Sequence, residues 1–173
     1  PSVDALVRLR NLVLNAQMLI KHWALTESRT DAPEKTALIQ LTNDELPRII
    51  DRIDTLSAQW DKEEVALLNK CFSEMDKLFI MHGHIKEILP SLESYKDPLV
   101  WIERGELAEE GGPMDQQAQQ VLADLDRLLR MQENKRQALS GGMIRSFDSL
   151  KFFVLYLGTG LVVIGIVVAF LIV

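Results

Sequence analysis

The chain has 173 residues, with nineteen basic and twenty-five acidic side chains giving a net charge of −6. No Lys/Arg cluster supplies the basic footprint that nucleic-acid binding needs, and the one cysteine, Cys71, excludes an internal disulfide framework. Six per cent aromatics and nine glycines leave little material for a β-rich fold.

Residues 4–28 place apolar side chains at Ala5, Leu9, Leu12, Ala16, Leu19 and Trp23. This alternation of four and three is the seam of a helix in a coiled-coil-like bundle. Thr30-Asp31-Ala32-Pro33 breaks it, offering both a cap and a proline acceptable in a helix's first turn. The second seam runs through Leu38, Leu46, Ile49, Ile53, Leu56 and Trp60. Pro47 lies inside it, removes a backbone donor and predicts one bent helix.

Asp61 and Glu64 have the spacing of a capping box, with Asp in place of Ser or Thr. The third helix follows through Val65, Leu68, Phe72, Met75, Phe79, His82, Ile85 and Leu89, and Pro90 bends or frays its end. Residues 96–113 lose the pattern, with room for a short helix over Leu99–Leu107, and Gly111-Gly112-Pro113 punctuate strongly. The fourth helix begins near Pro113 and carries Ala118, Val121, Leu125 and Leu128. Gln132 and Lys135 interrupt its seam, which resumes at Leu139. Ser140-Gly141-Gly142 then softens the approach to the last segment.

That segment, Phe152 to Val173, reads FFVLYLGTGLVVIGIVVAFLIV, and every charged residue of the chain precedes it. Roughly 20 apolar residues span a bilayer core as a helix, so a C-terminal transmembrane helix is expected over 151–173. Gly158, Gly165 and Ala169 fall on one face of it, where small residues let two helix backbones approach. The expected fold is all-α: an up-down-up-down four-helix bundle over 1–150, followed by that membrane helix. Such a bundle puts both of its ends at one pole. Helical periodicity begins almost at Pro1, so a preceding segment is expected in the full-length protein.

The stretches NLVLNAQMLIKHWALTE and LTNDELPRIIDRIDTLSAQW, in a bundle running into a membrane helix, resemble the four-helix-bundle sensor domain of bacterial chemoreceptors and sensor histidine kinases. The resemblance implies ligand sensing outside the cytoplasm by a homodimer, with one membrane helix before the bundle and another after it. It implies no chemistry in this segment and no cofactor.

Candidate sites are few. His82 and His84, two apart on a helix, point to different faces and cannot easily hold one metal. No catalytic constellation is visible. Arg8, Asn11, Asn15 and His22 lie along one side of the first helix. An arginine fork with amide donors and acceptors suits a small anionic or amide ligand between helices, or the meeting of two bundles. The expected function is therefore ligand sensing in a bacterial inner-membrane receptor, with the bundle in the periplasm and a small molecule or protein as ligand. The alternative is a tail-anchored cytosolic interaction protein. Arg145 and Lys151, before the apolar run, favour it mildly because basic residues tend to lie on the cytoplasmic side.

Overall fold

The computed structural model describes residues 1–25, 29, 31–138 and 156. All regular structure among them is helical. The chain divides into two compact units, Pro1–Gln132 and Glu133–Val173.

The first unit opens with α1 (Ser2–Leu25). Next come α2 (Pro33–Gln40), a π-helical turn (Leu41–Glu45) and α3 (Leu46–Ser57), which form one continuous helical stretch. After it lie α4 (Lys62–Ile88), a 3-10 turn (Ser94–Lys96) and α5 (Pro98–Ala108). The last helix, α6, covers 113–138. Of the second unit, the described residues are 133–138 and Tyr156; Arg136 there pairs with Glu133 at 2.6 Å, a one-turn contact.

Each start has a local cause. The Asp61–Glu64 capping box is present, with the Asp61 N–H donating to Glu64 Oε2 at 2.8 Å. It satisfies donors that the first turn cannot. Asp97 accepts the Leu99 N–H at 2.9 Å, and Pro98 occupies the first turn of α5. α2 uses Pro33 in the same way, but its cap is Ala32, which makes no side-chain bond. Ahead of α6, Gly111 takes φ +76°, the left-handed region that favours glycine. A Cβ on Gly112 would lie 3.0 Å from the Glu106 carbonyl oxygen, so the chain folds back there at close quarters.

Cross-helix bonds fix the directions. Ser2 meets Trp60 and Gln17 meets His82, so α1 and α4 run parallel. Arg8 reaches Glu45 while Trp23 reaches Lys35, so α1 and the α2–α3 stretch are antiparallel. Arg10 with Asp126 and Lys21 with Asp115 make α6 antiparallel to α1. Arg127 with Glu63 and Lys70 with Asp124 make it antiparallel to α4 as well. Up-down-up-down is thus the order. Ser2, Trp60, Glu63 and Arg127 mark one pole; Trp23, Lys35, Tyr95 and Arg104 mark the other.

The core is continuous through all these helices. α1 is its axis, burying Leu6, Val13, Ile20 and Ala24 as well as Ala5, Leu9, Leu12, Ala16 and Trp23 of the expected seam. Leu19 is only partly buried. The face is wider than a two-residue seam because α1 packs against helices on several sides.

The helix accommodates Pro47 through a π-helical turn just ahead of it. The Leu46 N–H bonds the Leu41 oxygen, five residues back rather than four. This π turn absorbs the donor that proline lacks, and the Thr42 hydroxyl donates to the Leu38 carbonyl at 2.9 Å, engaging a carbonyl in the disturbed ladder. Among the described residues no helix is long and apolar enough to cross a membrane. The expected transmembrane run, with Gly158, Gly165 and Ala169, lies outside the described residues apart from Tyr156, as does Gly141-Gly142.

Candidate functional site

Three arrangements in the first unit hold polar chemistry or unused surface. The first is the outer face of α1. Arg8, Asn11 and Asn15 are exposed there and His22 is half-buried. Arg8 pairs with Glu45 at 3.9 Å, a solvated contact of little energetic weight. The four residues share the side of the helix expected of them, but the fold brings no second described helix over them as a ligand wall. Beside them runs an apolar row, Val7, Leu14, Met18 and Leu25, each 39–62% exposed. Its intervals are seven, four and seven, and Asn11 fills the position four after Val7. α1 therefore carries two apolar faces, one inside the bundle and one outside.

The second arrangement is a buried polar layer across three helices. His82 on α4 is 1% exposed, and its Nε2 stands 3.1 Å from the Gln17 amide oxygen. An amide oxygen only accepts, so the ring proton is on Nε2. Gln17 donates onward to Asp115 Oδ1 at 2.9 Å, and the other Asp115 oxygen takes the Lys21 ammonium at 2.6 Å and the Gly111 N–H at 3.0 Å. Burial alone would raise the Asp115 pKa, but Lys21, Gly111 and Gln17 together hold it below the usual carboxylate range. Burial, with Lys86 adding like-charge repulsion, drives His82 down to about 3. Its Nδ1 has no hydrogen-bond partner, and the ring edge meets Phe79 in a T-shaped contact at 5.1 Å. His84 points outward instead and pairs with Glu103 on α5 at 2.7 Å, so the two histidines cannot share one ion.

The third joins α4 to α6. Lys70 reaches the largely buried Asp124 at 2.9 Å, and Cys71 alongside donates weakly to the Val121 carbonyl. Burial, then Asp124, pushes the Cys71 thiol up to about 12. Thiolate is the reactive species, so Cys71 in the folded chain should resist a maleimide at pH 8 and react only on unfolding. Labelling before and after urea, read by mass spectrometry, checks this.

Sequence periodicity pointed to the α1 stripe and to His82 as a seam residue. It missed Gln17, Asp115 and Lys21, whose partners are far apart in the chain. It also missed Lys35, a lysine at 4% exposure; lysines are almost never fully buried unless paired, and nothing local marks this one. No protein-family model, no curated protein and no solved structure matches the chain.

Proposed function

We propose that this chain is the sensing portion of a bacterial inner-membrane receptor: a periplasmic four-helix bundle that works as a parallel homodimer and is followed by a membrane helix over 151–173. It is a binding and signalling module with no reaction of its own. The observation that carries the reading is the second apolar row of α1. A helix that already buries a full face has no internal reason to repeat Val7, Leu14, Met18 and Leu25 at heptad intervals outside. Two copies of α1, side by side and parallel, cover that row with itself. Asn11 lies on the row, where a buried asparagine fixes register at some cost in stability. Arg8, Asn15 and His22 then flank the seam and are offered to a ligand held between the copies.

The sequence resemblance to chemoreceptor and sensor-kinase bundles supports the same reading, as do Gly158, Gly165 and Ala169, which suit pairing within the bilayer. Mechanism follows from two packings of the pair. A ligand that favours one packing shifts the equilibrium by its differential affinity, and the final helix carries the displacement through the membrane.

Asn11→Cys or Asn15→Cys, each in a Cys71→Ala background, should cross-link between copies under mild oxidation in membranes. Absence of cross-linking at both positions, with monomeric mass in detergent, removes the dimer. The second reading, a tail-anchored cytosolic protein, draws on Arg145 and Lys151 ahead of the apolar run. Labelling the same cysteines in intact bacterial cells with a membrane-impermeant maleimide separates the two: labelling places the bundle in the periplasm, protection until lysis places it inside.

A further inference from the structure

α5, like α1, is apolar on two sides. Its inward side is Val100, Leu107 and Ala108, which belong to the core or pack against it. Leu99-Val100-Trp101-Ile102 is nevertheless an unbroken apolar run, and three of these side chains stand in solvent. Leu99 is 76% exposed, Trp101 61% and Ile102 50%. Packing within the bundle accounts for Val100 alone, and consecutive exposed apolar residues are otherwise a liability that function has to justify. Leu99, Ile102 and Glu106 follow at intervals of three and four, which sets them along one ridge of the helix. Trp101, about 100° further round, widens the strip on the Ile102 side.

The ridge is fixed to the bundle. Asp97 caps its first turn, His84 on α4 pairs with Glu103 at 2.7 Å, and Arg104 turns inward to the Ala24 carbonyl of α1. Around the apolar strip the charge has one sign. Glu93, Asp97, Glu103, Glu106, Glu109 and Glu110 are all exposed, against Lys96 and the inward-turned Arg104. Such a rim repels anionic lipid headgroups and acidic proteins. It attracts an apolar row that carries lysines or arginines at its edges.

We propose that the outer side of α5 docks a basic amphipathic helix of a partner protein. The apolar row of that helix packs on Leu99, Ile102 and Trp101, and its cations meet Glu103, Glu106 and Glu109. The surface is on a different helix from the outer row of α1 and needs neither the dimer nor the receptor reading.

The test uses the full chain in phosphatidylcholine nanodiscs, titrated with a synthetic leucine–lysine amphipathic helix that lacks tryptophan, with empty nanodiscs as the blank. Trp23 is buried and Trp60 partly so, so covering α5 should shift the Trp101 emission to the blue, saturably. Leu99→Asp combined with Ile102→Asp should weaken binding about tenfold or more, as loss of the central apolar anchors does. Glu106→Lys should weaken it several-fold and flatten its salt dependence, because rim charges act through screened attraction. These side chains are exposed, and circular dichroism checks that the variants stay folded. Ile80→Asp, at a 71% exposed position on α4, should leave binding unchanged. No saturable binding overturns the proposal, as does binding that the α5 variants leave intact. Equal binding of a leucine–glutamate helix overturns the basic class. Trp101→Cys in a Cys71→Ala background that cross-links to a second copy makes that copy the occupant, and binding of phosphatidylglycerol vesicles through α5 makes it a lipid surface; either result overturns the partner helix.

Discussion

Trp23→Ala should destabilise the bundle by about 4 kcal/mol, in the range for truncating a buried tryptophan. The indole is 8% exposed, belongs to the continuous core, and its face supports the Lys35 ammonium. Removing it leaves a cavity and strips a cation–π contact from a buried cation, which adds to the loss. Trp101, on α5 and 61% exposed, is the internal control: its alanine variant should lie within about 0.5 kcal/mol of the parent. Urea unfolding followed by circular dichroism compares the two. A Trp23 variant as stable as the parent would mean that the ring is not a packing element of the pole.

The second large effect is on pH. His82 titrates at about 3 in the folded chain, against an ordinary value of 6.5. Between those values the unfolded chain binds a proton that the folded chain refuses, so stability rises with pH, by about 1.4 kcal/mol per pH unit. The contribution is fully present above pH 6.5 and is lost progressively as pH falls towards 3. Asp115, Glu74 and Glu93 all have lowered pKa values, so they act mainly below the ordinary carboxylate range. The window from pH 6.5 to pH 4.5 therefore isolates the histidine, and about 2 kcal/mol should disappear across it. His82→Phe orphans the Gln17 oxygen and costs stability at every pH, but its profile should be flatter by about one proton. An unchanged slope in that variant would show that His82 does not control the acid sensitivity.

Much of the architecture could be read from periodicity because a bundle writes its core every three or four residues. Leu9, Leu12 and Ala16 announced α1, and Leu68, Met75 and His82 announced α4. Leu6, Val13 and Ile20 were not assigned to the seam, because only the packing of α1 against helices on several sides decides how broad its buried face becomes. The Asp61–Glu64 cap is local, three residues apart, and so was legible. The His82–Gln17–Asp115–Lys21 layer was not, since Gln17 and His82 are 65 residues apart and Lys21 and Asp115 are 94 apart. No pattern along the chain encodes such a meeting. Lys35 was hidden for a different reason: its burial depends on Tyr95 and Trp23 arriving from other helices with aromatic faces that accept a cation. The outer row of α1 was present in the sequence throughout. Val7, Leu14, Met18 and Leu25 simply compete with a stronger heptad on the same helix, and solvent exposure was needed to separate the two.

The π turn at Leu41–Glu45 has a bearing on which changes of length the chain tolerates. Leu41 and Leu46 are five apart and both buried, whereas an α-helix of 3.6 residues per turn would set them about 140° apart. The turn holds one surplus residue, and Asn43 and Asp44 within it are exposed. Deleting one of them lets the stretch close as a regular helix with Leu41 and Leu46 four apart, about 40° from each other, so both keep the core face. An insertion there looks just as harmless by exposure, yet it would swing everything before it by about 100° relative to Ile49 and Ile53. Lys35 and Leu38 would leave their places at the far pole. Single-residue insertions in this surface segment should therefore be as damaging as core truncations, while a single-residue deletion, or substitutions at the same two positions, should cost far less.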